Sequence, residues 1–451
     1  MLVGDCCKVV VETLDAEGLG IVHLAALKLR IPGGAPGDVL TVRLDARSRH
    51  SEVGWSHIEE VHHRGPHHRV PTCPHAWPTR GRCGGCALAH VAPEAASTLK
   101  MQRVRESLAK HQLGPSLHWH DSVSEQRYRN RCHFVVARDG RGRAMLGSFS
   151  PRSHHIAPMD GCEVVRAPLA DLAQELQNAL RQLDAPIHPD PAGLRYVTLR
   201  ANGAGEALLD LVVGGDVAPW VSTWIPKLGQ SGLWKGISYS VNGERGNALR
   251  VGPSHCVWGD ATIVEAIGPA ALHLSAATFS QLNSEVAEAM YAWAARAASA
   301  PRCIVDWYCG VGGLGITVAQ AHRDCTPRLI GVDSIPESIQ LARRNASDAQ
   351  ISADYAVVDL SKQAPAWPEE PDLVLLNPPR RGLDAPVMNA IASLSRGQVV
   401  YMSCNASSFA RDMKQLETHG WRFGEVHVFD MLPRTAHVEL IAIARRQASQ
   451  Q

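Results

Sequence analysis

What this chain of 451 residues lacks narrows its class before any motif is read. It has almost no net charge: 45 Lys and Arg stand against 44 Asp and Glu, giving +1 at pH 7. That argues against a uniformly basic protein held to a polyanion by bulk charge. No apolar run approaches the roughly 18–20 residues that cross a bilayer as a helix, so a membrane partner is not expected. The opening residues Met1-Leu2-Val3-Gly4-Asp5 have neither the basic start nor the apolar stretch of a secretory leader, and the cytoplasm is the expected compartment. Internal repeats are missing, and only the stretch from Ala448 to Gln451 reads as disordered. With 45% hydrophobic residues the chain has ample material for burial. Its length exceeds what one core accommodates and predicts two or three domains; nothing in the sequence speaks to oligomeric state.

Cysteine, by contrast, is plentiful at 12 residues. In a large chain of cytosolic character this points to metal binding or catalysis before disulfides. Cys73, Cys83 and Cys86 are separated by nine and two residues, and Cys162 in Met159-Asp160-Gly161-Cys162 supplies a fourth thiol. Four thiolates suit zinc or an iron–sulfur cluster, and spacing alone does not separate the two. Charge is also uneven. Between Asp121 and Arg152 there are seven arginines and three acids, a local basic patch able to hold phosphates.

Patterning divides the chain into three. Residues 1–62 read as short strands broken by turns at Asp15-Ala16-Glu17-Gly18 and Pro32-Gly33-Gly34-Ala35-Pro36-Gly37-Asp38, which predicts a small β-barrel. The polar, histidine-rich run His62 to Arg69 reads as a linker. Residues 63–275 form a β-rich central domain, with strands expected at Phe134-Val135-Val136, Tyr196–Leu199 and Leu208–Val213. From 276 to 451 short apolar runs at Ile304–Asp306, Leu329–Asp333, Leu373–Leu376 and Val399–Met402 alternate with helical segments. That is the pattern of an α/β, Rossmann-like domain with a parallel sheet covered on both faces.

Three motifs in the last part carry chemistry. The loop Asp306-Trp307-Tyr308-Cys309-Gly310-Val311-Gly312-Gly313-Leu314-Gly315 follows one strand and opens a helix, so its backbone can approach a ligand. Asp333 closes the next strand, where an acid takes ribose hydroxyls. Asn377-Pro378-Pro379 closes a later one, which dinucleotide folds do not require, and the combination favours S-adenosylmethionine over NAD. Amino-group methyltransferases normally finish such a motif with an aromatic residue; Arg380 stands there instead. Beyond it lies Cys404 in Ser403-Cys404-Asn405-Ala406. A nucleophilic cysteine fits a target carbon that needs covalent activation, and C5 of uracil is one. A thiolate adding to C6 makes C5 nucleophilic, and a base must later remove the C5 proton. Glu439, a carboxylate entering the apolar strand Leu440–Ile443, is the candidate base. His437, two residues earlier, could contact the base or pack.

Together these residues resemble the bacterial RNA uracil-5-methyltransferase family. The likeness runs along nearly the whole chain, through the four cysteines, Tyr128-Arg129-Asn130-Arg131, Phe279-Ser280-Gln281-Leu282-Asn283, the cofactor loop, Asn377–Gly382, Ser403–Asn405 and Thr435–Glu439. The glycine turns of residues 1–62 resemble a TRAM domain, a small RNA-binding barrel. The resemblance implies a class I fold and S-adenosylmethionine contacts at Gln281, Tyr308, Gly313, Asp333, Asn377 and Asp359. It implies a [4Fe-4S] cluster on Cys73, Cys83, Cys86 and Cys162, the nucleophile at Cys404 and the base at Glu439. It also places the helix near 93–121 against the catalytic domain. Family members often carry Asn at the Gly313 position, Glu at Asp333 and Asp at Asn377. Asn377–Gly382 and Ser403–Ala406 resemble a branch acting on 23S rRNA, and the barrel resembles another 23S branch. The expected partner is therefore 23S rRNA, with a tRNA uridine as the alternative. A non-catalytic iron–sulfur RNA-binding protein is the reading from a different class.

Overall fold

The computed structural model describes residues 1–15, 17–76, 83–151, 153–184, 186–215, 219–244, 252–366 and 369–446. The chain forms two compact units. One contains Met1–Arg103, Met145–Cys162 and Leu432–Ala436; the other contains Val104–Ala144, Glu163–Met431 and His437–Gln451.

The first unit opens with β1 (Cys6–Val10), β2 (Thr13–Leu14), β3 (Gly20–Leu24), β4 (Leu27–Ile31), β5 (Val39–Arg47) and β6 (Val53–His63), paired in the order β1-β5-β6-β4-β3-β2. Strict alternation builds this sheet. Leu40, Val42 and Leu44 on β5 turn inward onto Val9, Val22, Leu29 and Ile31, while Arg43 and Asp45 between them face out. The run His62 to Arg69, expected to be a linker, is instead tied down. Asp38, fully buried, accepts from the Gly65 amide at 2.8 Å and from Arg64 Nη1 at 2.8 Å. A buried carboxylate needs such donors, and these come from the polar residues that make the segment look solvated.

Further along come α1 (Pro93–Ala109), β7 (Leu117–His120), β8 (Arg131–Arg138), β9 (Ala144–Phe149), β10 (Ile156–Pro158), α2 (Ala167–Gln182), β11 (Leu194–Ala201), β12 (Ala207–Val213), α3 (Pro219–Gly229), β13 (Gly236–Val241) and β14 (Ser254–Gly259). In the second unit β8-β11-β12-β13-β14 are neighbours in that order, parallel only between β12 and β13. The strands expected at 134–136, 196–199 and 208–213 lie within β8, β11 and β12. α2 packs through Leu169, Leu172, Leu176 and Leu180, one stripe of a 3.6-residue period.

After the hairpin β15 (Ile263–Ile267) and β16 (Ala270–Leu274) the second unit continues as α4 (Ser284–Ala297), β17 (Cys303–Trp307), α5 (Gly313–Ala321), β18 (Arg328–Asp333), α6 (Pro336–Asp348), β19 (Ala353–Val357), β20 (Leu373–Leu376), α7 (Ala385–Ser393), β21 (Gln398–Ser403), α8 (Ala406–Thr418), β22 (Trp421–Phe429) and β23 (Glu439–Arg446). Its sheet has eight strands in the order β19-β18-β17-β20-β21-β23-β22-β7. β17 to β21 are parallel, and β23 runs antiparallel to both neighbours. This is the Rossmann-like α/β class that the alternating runs predict, preceded by β-rich segments. The eighth strand, β7, comes from far earlier in the chain and pairs parallel with β22. Four successive buried residues make β20, as a strand covered on both faces requires.

The sheet tolerates little added volume. A Cβ on Gly331 of β18 would lie 2.2 Å from Tyr355 Cε1 on β19, whereas one on Gly114 meets nothing within 4 Å. Gly331→Ala is expected to cost about 1–3 kcal/mol by overpacking and to lower the thermal midpoint by several degrees in calorimetry. Gly114→Ala should leave the midpoint in place; equal midpoints for the two variants would mean that Tyr355 does not fill that space.

Candidate active site

The carboxyl ends of β17, β18, β20 and β21 open on one cavity of about 760 Å³ in the second unit. Ligands bind at that edge in open α/β sheets because the loops there diverge. Gln281, Tyr308, Asp333, Asp359, Asn377, Cys404 and Glu439 all line it. Gly313 does not; it is buried at the first turn of α5, and Gly310 of the same loop stands in the wall instead.

The loop after β17 owes its path to left-handed backbone at Tyr308 (φ 62°), Gly310 (φ 55°) and Gly312 (φ 84°). Gly312 is also too crowded for a side chain, since a Cβ there would meet the Tyr355 hydroxyl at 2.7 Å. Two carboxylates hold the loop. Asp306 Oδ2 accepts from the Gly315 amide at 3.0 Å, and burial pushes its pKa up to about 7. Asp333 Oδ2 accepts from the Gly310 amide and Oδ1 from the Ile335 amide, both at 3.0 Å. Asp359 accepts from Ser361 Oγ at 2.6 Å and pairs with Lys362 at 3.1 Å. The Ser361 hydroxyl leads the hydrogen bonds that lower its pKa to about 2.

Cys404 lies between β21 and α8. Antiparallel pairing sets Ser403 of β21 opposite Leu440 of β23, and the residues next to that pair, Cys404 and Glu439, line the same cavity. Two residues 35 positions apart thus meet beside the end of one ladder. Asn405 caps α8, its side chain accepting from the Ser407 amide, while its Nδ2 donates to the Arg380 carbonyl at 2.9 Å; Ser408 Oγ donates to the same carbonyl at 3.1 Å. Asp412 on α8 accepts from the Leu383 amide at 2.8 Å and from Tyr401 Oη at 2.7 Å. The segment after Asn377 is thus fastened to the helix that follows the cysteine.

Electrostatics sets the resting state of this pair. Burial raises the Glu439 pKa to about 8, opposed by the positive charge of Arg380. Burial also raises the Cys404 thiol, the nearby Glu439 carboxylate raises it further, and Arg380 lowers it by charge and by a hydrogen bond. Arg380 therefore favours the charged form of both. Sequence reading noted Arg380 only as replacing an aromatic residue; its role depends on a turn that no local pattern shows. His437 is exposed, ahead of β23, with its ring nitrogens 3.4 and 3.5 Å from Arg380 Nη2. Arg131 and Phe279 also line the cavity, and their signal in the sequence was membership of the quoted motifs.

In the first unit Cys73, Cys83, Cys86 and Cys162 are all unoxidised and partly buried. Burial raises the Cys83 thiol, the Gly85 amide donating to its Sγ at 3.3 Å lowers it, and the charges of Cys162 and Cys73 raise it. Among the described residues no three His, Cys, Asp or Glu side chains are close enough to hold a single metal ion.

A family model described as tRNA (Uracil-5-)-methyltransferase matches residues 370–446, the stretch holding Asn377, Cys404 and Glu439. Uncharacterized RNA methyltransferases of Halalkalibacterium halodurans and Gloeobacter violaceus are 28% and 29% identical, over 97% and 99% of this chain and 96% and 98% of theirs. These matches liken the chain to RNA uracil-5-methyltransferases. A methyltransferase small domain model matches residues 272–397, which include the cofactor loop. The fold agrees with that of a Pyrococcus abyssi tRNA (uracil-54, C5)-methyltransferase crystallised with S-adenosyl-L-homocysteine, at a TM-score of 0.77, 23% identity, and coverage of 97% of this chain and 100% of that one.

The opposed influences on Cys404 give a test that needs no substrate. Glu439→Gln removes a charge that raises the thiol, and Arg380→Gln removes one that lowers it. At pH 8, iodoacetamide should alkylate Cys404 several-fold faster in the first variant and several-fold slower in the second than in the parent, measured by peptide mass spectrometry. The reverse order would mean that Arg380 and Glu439 do not control the thiol.

Proposed function

We propose that the chain is an RNA methyltransferase that methylates C5 of a uridine through a covalent bond between Cys404 and C6. The observation that carries this is that Cys404 and Glu439, whose charge acts on the thiol, line one cavity with Asp333, Asp359 and Asn377. S-adenosylmethionine, when bound, supplies an electrophilic methyl group. The donor set fits it: an acid at the end of β18 for ribose hydroxyls, backbone amides of a tight loop, and Asn377 at the end of β20. Gln281, Tyr308 and Gly313 complete the proposed cofactor contacts, Gly313 by letting α5 begin close to Leu272.

The chain's own groups then act in sequence. Arg380 favours ionisation of Cys404, whose thiolate adds to C6 and drives electron density towards C5 and O4. After C5 has been alkylated, Glu439 takes its proton, the C5–C6 double bond reforms, and the thiolate leaves. With Glu439 near 8 and Cys404 raised, both groups are largely protonated at neutral pH in the ligand-free site. Turnover should rise with pH across that range.

The uridine is extruded from its stack to reach such a pocket. Arginines of the second unit hold the phosphates: Arg127, Arg138 and Arg141 are exposed. In the TRAM-like sheet Arg30, Arg43 and Arg47 pair with Asp15, Glu59 and Glu52, so RNA contact there falls to other groups. We assign 23S rRNA as the substrate on the motif likeness of Asn377–Gly382 and Ser403–Ala406. The family model and the P. abyssi enzyme carry tRNA in their names, which keeps a tRNA uridine as the second reading.

Cys73, Cys83, Cys86 and Cys162 would hold a [4Fe-4S] cluster. Thiolates on one zinc crowd within about 2.3 Å of it, whereas a cluster takes each cysteine on a separate iron. Anaerobically purified protein should be brown and hold about four irons; stoichiometric zinc without iron would reject the cluster.

The functional test uses methyl-labelled S-adenosylmethionine with total RNA from cells lacking the enzyme, separated by size and digested to nucleosides. Label is expected in 5-methyluridine of 23S rRNA, and Cys404→Ala should reduce it to background. Glu439→Gln should accumulate a denaturant-stable protein–RNA adduct, because the proton blocking elimination stays in place. Label in tRNA would retain the chemistry and change the substrate; undiminished label with Cys404→Ala would reject the covalent mechanism.

A further inference from the structure

One cation in the second unit is buried where no reacting group needs it. Arg200 on β11 is 1% exposed, and its register partner on β8 is Arg131. Like charges directly across a ladder are destabilising, and taking a guanidinium out of water adds to the cost. Glu265 and Glu337 act on Arg200 only through their charge. Its donors go instead to the segment after β16: Nη1 to Ser280 Oγ at 2.6 Å, and Nη2 to the Thr278 carbonyl. Arg131 Nη1 donates to the same carbonyl at 2.6 Å. Two opposed arginines thus converge on one peptide group.

That peptide belongs to the cavity wall. Thr278, Phe279 and Gln281 line the space that Cys404 and Glu439 share, and Arg200 does not. Asn130 Nδ2 holds the Gln281 carbonyl at 2.9 Å. Phe279, meanwhile, is 58% exposed, with Arg131 Cζ 6.0 Å from its ring centre. An aromatic ring kept in water on a backbone fastened from behind is arranged for something that arrives. A neutral donor would satisfy one carbonyl; a planar fork fixes the carbonyl and the neighbouring hydroxyl together.

We propose that Arg200 is a positioning residue, which fixes the Thr278–Gln281 wall through Thr278 and Ser280 so that Phe279 meets the incoming nucleotide, and Gln281 the cofactor, in one preset geometry. This rests on the reading of the cavity as the uridine site. Holding a reactant in place raises the rate of the bound complex more than its affinity, so the loss on disturbing Arg200 should fall mainly on kcat.

Arg200→Lys keeps the charge and loses the fork. It should fold with a parent-like circular dichroism spectrum, and amide hydrogen exchange should accelerate over residues 277–283 while β12 stays unchanged. With RNA and S-adenosylmethionine, kcat should fall about tenfold and KM for RNA stay within about threefold. Ser280→Ala should reproduce part of the loss in the parent and add nothing to Arg200→Lys. Parent-like exchange at 277–283, exchange raised equally through β8, β11 and β12, or fully additive losses would each overturn the proposal. If Arg200→Lys does not fold, Ser280→Ala is read by the same exchange, with acceleration at 277–283 expected and its absence counting against. A parent chain that methylates no RNA would reject the uridine reading, while the exchange comparison would still decide whether Arg200 holds the wall.

Discussion

The register between β21 and β23 is the constraint on which the candidate site depends. Ser403 faces Leu440, and that alignment leaves Cys404 and Glu439 beside the end of the ladder, on one cavity. β23 carries Leu440, Ile441, Ala442, Ile443 and Ala444 buried in succession, so both of its faces are packed against neighbours of fixed shape. A slip by one residue would turn every side chain to the opposite face and separate the thiol from the carboxyl. Chemistry is thereby specified by packing: the apolar residues determine where the two polar ones meet.

Burial alone does not mark a catalytic acid, and the second unit contains the comparison. Asp306 and Glu439 are both buried carboxyls with raised pKa values. Asp306 accepts the Gly315 amide and stabilises a loop. Glu439 opens on the cavity, and Arg380 is the group that lowers its pKa. The difference lies in what each can reach. A carboxyl satisfied by backbone is structural, whereas one facing a cavity beside a thiol is available for proton transfer.

Much of this was legible in the chain. Cys404 stands just after an apolar strand and a proline turn, and Glu439 interrupts an apolar run, so each is visible as a chemical oddity in a regular pattern. The alternating runs from 304 to 402 gave the parallel sheet for the same reason. What local pattern could not show were partnerships across the chain. The run His62 to Arg69 looks solvated until Asp38 is placed beneath it. β7 is four residues with mixed burial and no period to recognise. Arg200 reads as the polar end of a strand, because a charged residue in sequence implies water unless its acceptors, some 80 positions later, are known.

The recruitment of β7 has a consequence for synthesis. Its partner β22 lies about 300 residues downstream, as the His120–His427 contact at a separation of 307 shows. At translation speeds of about 5–20 residues per second, roughly 15–60 s pass between the emergence of the two strands. Throughout that interval β7 has an unsatisfied backbone edge, and β22 lacks its outer neighbour until the last part of the chain is made. The nascent protein must therefore protect an open strand while it waits. Histidines at 118 and 120, polar in an otherwise pairable segment, keep that waiting edge less adhesive than an apolar strand would be.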